Sequence, residues 1–297
     1  MGLHNEFVNR LGSLEGARDV RVVHFTDTHI QPERGAFEGV QSALRAVVEL
    51  DPPVDALLLG GDVVMNTVGV GLDRASAQWD LWDRAIAEHP DLVVLPCIGN
   101  QDCWGWNLKQ SRCTGAEPLF GKAMAMKRLS MKSRFYRVRV GAWRVLVLDS
   151  LQQGGNHGYT ARLDDKQREW LKAELCSDEA TPTLIMTHVP IVAGPADFFS
   201  SKIEAPGERG DWVYPGQHIH ADSFEIVELL RLHPNVKVCV AGHIHCTQRI
   251  DYRGICFLHS PAVCGEWWRG AYQGFAPGFT VIDLRVDGSF GVDVVSY

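Results

Sequence analysis

Five short polar segments each stand directly behind an apolar run of strand type, and this arrangement limits the possible folds more than any other feature of the chain. The runs are Arg21 to Thr26, Ala56 to Leu59, Val93 to Ile98, Thr183 to Met186 and Val236 to Ala241. Behind them come Asp27-Thr28-His29, Gly60-Gly61-Asp62, Gly99-Asn100-Gln101-Asp102, Thr187-His188 and Gly242-His243-Ile244-His245. Strands buried on both faces read as unbroken apolar runs, and in open α/β sheets the working groups collect just beyond the strands' carboxyl ends. The chain is therefore expected to bring five such ends together at one site.

The connections agree with a parallel-type sheet. Val40, Leu44, Val47 and Val48 recur at helical spacing before Asp51-Pro52-Pro53 stops the helix, and Leu72, Trp79, Trp82 and Ile86 line one face of another that ends near His89-Pro90. The resulting order is βαβαβ. Trp104 to Lys132 lacks a long period and reads as an irregular excursion over the site. Phe135 to Val140 and Trp143 to Asp149, joined at Gly141-Ala142, read as a hairpin. Leu163 to Cys176 and Phe224 to Leu232 read as helices, and Ile191 to His220 as a long loop. Arg249 to Tyr252, Ile255 to His259, Phe279 to Arg285 and Phe290 to Ser296 make an all-strand end. A leader of residues 1–20, packing on the domain or fraying from it, is expected to precede a single domain over 21–297, whose strand-rich C-terminal region covers 249–297.

Each polar segment is weak evidence by itself, since Asp-x-His occurs by chance and most lone histidines are core or surface residues. Jointly they are not weak: Asp27, His29, Asp62, Asn100, His188, His243 and His245 all lie one to four residues past a strand. Four imidazoles, two carboxylates and an amide oxygen, without a thiolate, suit Mn, Fe, Co or Zn better than an all-oxygen Mg or Ca site. A carboxylate shared between two such cations, about 3.5 to 4 Å apart, would clamp the attacking and leaving oxygens of a phosphoryl displacement.

Other classes recede. The formal charge of −7 over 297 residues argues against a broad nucleic-acid footprint. No stretch approaches the roughly 18 apolar residues of a membrane span, and Met1 to Arg10 carries no apolar signal region, so a cytoplasmic protein is expected. The eight cysteines include no CxxC pair and read as buried hydrophobes or surface thiols. The oligomeric state has no signature in the sequence.

In order and spacing the segments resemble the calcineurin-like metallophosphoesterase superfamily, whose pattern is DxH, GD, GNH(D/E), H and GHxH. The resemblance runs from Arg21 to about Tyr297, and Ser260 to Gly270 with Gly278-Phe279 is similar to a bacterial subgroup of metallophosphoesterases. It implies a four-layer α/β/β/α sandwich with two mixed sheets and the metal site at strand carboxyl ends. Carried over by motif, Asp27, His29 and His245 would hold one metal, Asn100, His188 and His243 a second, and Asp62 would bridge them. The activity implied is hydrolysis of a small phosphate-ester substrate, nucleotide-type substrates among them, by a metal-bridging hydroxide.

One position departs from the pattern. The family's histidine, oriented by the next acidic residue (here Asp102), sits near the leaving oxygen, and this chain has Gln101 there. An amide donates a hydrogen bond but is no general acid, and such assistance is worth roughly 10² to 10⁴ in rate. Three readings follow: another acid, with His157, His218 and His220 as candidates; substrates whose leaving group departs without help; or a metal-binding scaffold with weak catalysis. Phosphodiesters are favoured over monoesters, with a phosphomonoesterase as the alternative. Trp104, Trp106, Trp267 and Trp268 read either as an aromatic wall for a flat group or as packing, and Arg269 either as a phosphate partner or as a surface contact. Asn66 is expected to support a neighbouring loop or ligand.

Overall fold

The computed structural model describes residue 14 and residues 16–155, 158–194 and 216–297. Two mixed sheets carry the chain. The first has the order β13-β12-β1-β2-β3, built from β1 (Val20–Phe25), β2 (Ala56–Leu59), β3 (Val94–Pro96), β12 (Gly278–Leu284) and β13 (Phe290–Ser296). The second has the order β10-β11-β9-β8-β5-β4, from β4 (Tyr136–Val140), β5 (Trp143–Val147), β8 (Thr183–Met186), β9 (Val236–Ala241), β10 (Gln248–Tyr252) and β11 (Ile255–His259). β1, β2 and β3 run parallel, as do β5, β8, β9 and β11, while β12 is antiparallel to β1, β13 to β12, β4 to β5 and β10 to β11.

Alternation along each strand sorts side chains between two cores. In β1 and β2, Val22, Ala56 and Leu58 face Val145, Leu184, Met186 and Val238 of the opposite sheet. Val23, Phe25, Leu57 and Leu59 face the other way, against Val40 and Leu44 of α1 (Ala36–Val48) and Trp79 and Trp82 of α2 (Leu72–Ala87). The outer face of the second sheet packs Ile185, Cys239 and Phe257 on Leu171 and Leu175 of α5 (Asp165–Ser177) and Ile226 and Leu230 of α6 (Ser223–Leu230). The layers are therefore α/β/β/α, as the resemblance implies. Both faces of the central strands are covered, which is why they read as unbroken apolar runs. Among the described residues, no helix is long and apolar enough to cross a membrane.

Several expectations need adjustment. Val20 opens β1, and Leu14 is buried with its carbonyl accepting Gly141 N–H at 2.7 Å, so packing begins before Arg21. Val48 and Leu72 are 46% and 45% exposed and do not belong to the helical faces assigned to them. Trp104 to Lys132, expected to be irregular, holds α3 (Leu108–Ser111) and α4 (Lys122–Arg128), and its Trp104, Trp106, Met124 and Ala125 join the core. A two-stranded ribbon of β6 (Leu151–Gln153) and β7 (Tyr159–Ala161), in neither main sheet, has no counterpart in the sequence reading. The strands after Arg249 divide, β10 and β11 to one sheet and β12 and β13 to the other. Much of the loop from Ile191 to His220 lies outside the described residues.

Candidate metal centre

The carboxyl ends of β1, β2 and β3 in one sheet and of β8 and β9 in the other meet at a single cavity of about 370 Å³. To bring ligands back over the strand ends the chain must turn at once. Asp27, His29, Asp62, His243 and His245 accordingly take left-handed backbone, with φ of 55°, 42°, 49°, 71° and 55°. Such conformations cost about 1 kcal/mol or more in a non-glycine residue and persist only where the surroundings enforce them. Here the main chain does: Asp27 N–H donates to Gly61 O, His29 N–H to Asp62 O, and Gly242 N–H to His188 O, at 3.0 to 3.1 Å. Gly99 is required by close approach, since a Cβ there would lie 2.0 Å from Asp62 N.

The seven candidate ligands converge as two halves. In one, His29 Nε2 and His245 Nε2 are 3.2 Å apart, and Asp27 Oδ1 lies 3.7 and 3.4 Å from them. In the other, His188 Nε2 is 3.1 Å from Asn100 Oδ1 and 3.4 Å from Asp62 Oδ1, with His243 in the same cluster. Asp62 faces both halves, its Oδ2 being 3.7 Å from His29 Nε2. Three of the four outer ring nitrogens are fixed from behind: His188 Nδ1–H donates to Gly60 O, His245 Nδ1–H to Gly265 O, and His243 Nε2–H to Gln217 O, whereas the buried Nδ1 of His29 has no hydrogen-bond partner. In these three rings the bonds turn the inner nitrogen toward the site, where its lone pair becomes available to an ion once any proton there is displaced, the arrangement expected of metal-ligating histidines.

The donor set fits metal ions. Asp27 is wholly buried; its Oδ2 accepts Thr26 Oγ1–H and His243 N–H, while its Oδ1 has no hydrogen-bond partner. A buried carboxylate oxygen left so, facing two imidazole nitrogens 3.2 Å apart, is reconciled by a cation. The electrostatics of the metal-free chain agree. Burial pushes the Asp27 carboxyl up, but His245, His29 and His188 together hold it well below the usual carboxylate range. Burial lowers His188, yet Asp62 and Asp27 raise it to about 9, whereas burial with His188 nearby lowers His243 to about 3. Protons here do part of a cation's work of balancing the carboxylates.

Gln101 lies beside this group and lines the cavity. Its N–H donates to Asp62 Oδ1 at 2.7 Å, its main-chain oxygen accepts Thr67 N–H and Oγ1–H, and its side-chain Oε1 is buried without a partner. Asp102 does not orient the side chain at 101, because both its oxygens are taken by main-chain N–H groups. Oδ2 accepts from Gly99 and Oδ1 from Val63 and Val64, tying two ligand loops together. Burial and the nearby Asp62 raise its carboxyl to about 7.

The aromatic residues sort differently from the sequence expectation. Trp104 is buried, its Nε1–H donating to Val70 O, and is core. Trp268 does not line the cavity; it props the site from behind, donating Nε1–H to His29 O at 3.1 Å. Arg269 is exposed and outside the cavity lining. Trp267 does line it, 5.1 Å from the His245 ring and 5.7 Å from Tyr272. His218 also lines it, edge-on to His243 at 6.0 Å. His220 is buried between Thr187 and Asp222 and serves packing, while His157 lies outside the described residues. Asn66 is at the rim, its Oδ1 accepting Gly69 N–H. Tyr159, Gln217, Tyr272 and Gln110 also line the cavity, and no sequence motif marks them.

Comparison with known proteins agrees with this geometry. A model of the calcineurin-like phosphoesterase family matches residues 20–247. The chain is 25% identical to the 3',5'-cyclic adenosine monophosphate phosphodiesterase CpdA of Escherichia coli K12, over 95% of this chain and 91% of that protein. It is 26% identical to a 3',5'-cyclic-nucleotide phosphodiesterase of Nostoc sp. PCC 7120, over 91% and 90%. In fold it is similar to a dimetal phosphatase from Danio rerio, with a TM-score of 0.59 and 14% identity over 94% of this chain and 99% of that one. The chain belongs to the calcineurin-like phosphoesterase family and is a metal-dependent phosphoric ester hydrolase.

Proposed function

We propose that the protein hydrolyses phosphodiesters of nucleotide type, 3',5'-cyclic nucleotides among them, at a centre of two metal ions. The observation that carries this reading is Asp62, whose two carboxylate oxygens face the two histidine halves. Asp27, His29 and His245 would hold one ion, Asn100, His188 and His243 the other, and Asp62 both. When bound, such ions supply an activated water at neutral pH and offset charge on the phosphoryl oxygens.

The walls of the cavity favour a diester over a monoester. A phosphomonoester carries close to two negative charges at pH 7, a diester one. Among the described residues lining the cavity none is Lys or Arg; Asn66, Gln101, Gln110, Gln217, Tyr159, Tyr272 and Trp267 offer neutral hydrogen-bonding and aromatic surface instead. Gln101 can donate a hydrogen bond to a phosphoryl oxygen but cannot protonate a leaving alkoxide. The Trp267 and Tyr272 rings give a flat group a surface beside His245, and a cavity of about 370 Å³ lies within the range of small-molecule sites. The relatives named cyclic-nucleotide phosphodiesterases support the same substrate class.

The test is metal analysis of the purified protein followed by side-by-side hydrolysis of cyclic nucleotides, an aryl diester and an aryl monoester. Two ions per chain and a higher kcat/KM for the diesters are expected. A single ion, or a preference for the monoester, refutes the reading.

A further inference from the structure

His243 differs from the other ligand histidines in what stands behind it. His188 and His245 each rest an outer nitrogen on one main-chain carbonyl, at 2.9 and 2.8 Å. His243 Nε2 meets Gln217 O at 3.0 Å and also the Tyr159 hydroxyl at 3.2 Å, and that hydroxyl lies 3.4 Å from the same Gln217 oxygen. The three groups form a closed set: Nε2–H donates to Gln217 O and to the Tyr159 oxygen, and the Tyr159 O–H donates to Gln217 O. The Tyr159 ring stands edge-on to His243, 6.1 Å away at 85°.

Tyr159 reaches this position from the small ribbon, not from a main sheet. In the ribbon it pairs with Gln153. Lys122 holds the Leu151 carbonyl and Asp149, and Ala221 N–H donates to Ala161 O at 2.7 Å. Asp222 accepts Leu163 N–H, so the chain just after Gln217 is tied to the chain just after Tyr159. A free histidine interchanges its two neutral tautomers readily, and only the one with Nε2 protonated leaves Nδ1 for an ion shared with Asp62 and His188.

We propose that Tyr159 is a positioning residue that locks His243 in its Nε2–H tautomer, and so sets the affinity of the second ion without affecting the first. The proposal rests on the two-ion reading above, and its test separates the two. The first measurement needs no metal. Two-bond ¹H–¹⁵N spectra of the metal-free protein should give His243 as the Nε2–H form; in Tyr159→Phe the Gln217 carbonyl still favours that form, so the expected change is a minor Nδ1–H population absent from the wild type. The second is titration of metal-free protein with Mn(II), following free Mn(II) by electron paramagnetic resonance. Loss of such an outer-shell partner typically weakens metal binding about 10- to 100-fold; Gln217 O remains, so a loss near 10-fold is expected at one site only. The other site and the thermal midpoint of the metal-free protein should not change.

Wild-type His243 in the Nδ1–H form overturns the proposal, as do two unchanged sites in Tyr159→Phe. Equal weakening at both sites with a lowered midpoint also overturns it, because the hydroxyl would then serve the fold as a whole. Wild-type protein that binds one ion refutes the two-ion reading, and the tautomer spectra then judge Tyr159 by themselves.

Discussion

Replacing Gly39 by alanine tests how far the site's outer support constrains the fold. Gly39 sits inside α1, where glycine is about 1 kcal/mol worse than alanine, so helix propensity alone makes Gly39→Ala stabilising. The structure reverses the sign. A Cβ at this position would lie 2.1 Å from Trp268 Cζ3 and 2.7 Å from Cε3. Ordinary carbon contacts are about 3.5 to 4 Å, so a rigid indole would have to withdraw by about 1.5 Å. Overpacking of that kind costs roughly 1 to 3 kcal/mol, and the Trp268 bond to His29 O is worth about 1 more. Setting the propensity gain against these costs leaves Gly39→Ala destabilising by roughly 1 to 3 kcal/mol. For a chain of this size that is a fall of about 2 to 6 °C in the thermal midpoint.

The assay is thermal or urea unfolding of metal-free protein, which keeps ion binding out of the stability. The informative partner is Trp268→Leu. With the indole gone, adding Gly39→Ala should stabilise by about 0.5 to 1 kcal/mol, so the two changes couple strongly in a double-mutant cycle. If Gly39→Ala stabilises the parent chain and the Trp268→Leu chain equally, the indole does not press on the helix and the reasoning fails.

Asp62→Ala should remove both ions and lower hydrolysis by more than about 10³, since it takes away the group facing both halves; retained metal and activity would contradict the bridging role. Gln101→His should raise turnover of alkyl esters more than that of aryl esters, because only the poor leaving group needs a proton. Equal gains on both would remove the leaving-group argument. Burial holds the imidazole of His24 down to about 3, against about 6.5 in the unfolded chain. The unfolded state therefore binds the extra proton as pH falls from 6.5 toward 3, and stability is lost in that window, by about 2 kcal/mol on reaching pH 5. Urea unfolding of metal-free protein at pH 7 and 5 should show this loss, reduced in His24→Gln; identical slopes in the two proteins would argue against it.

The sequence by itself determined the strand ends and the residue types gathered behind them. That information is local: a strand covered on both faces must be apolar throughout, so the polar residue that ends the run stands out. Asp27, His29, Asp62, Asn100, His188, His243 and His245 were legible for this reason, as was the apolar helix face holding Trp79 and Trp82. Tertiary structure alone decided the rest. Trp104, Trp106, Trp267 and Trp268 look alike as letters, yet Trp104 and Trp106 pack in the core, Trp268 props His29 and of the four only Trp267 lines the cavity, because each fate depends on chain far away in sequence. Tyr159 is 84 residues from His243, and no local pattern reports a hydroxyl that will meet a ring nitrogen there. Gly39 gives the plainest case. Its helix would prefer alanine, and the ring that forbids one lies 229 positions further along the chain, brought there by packing.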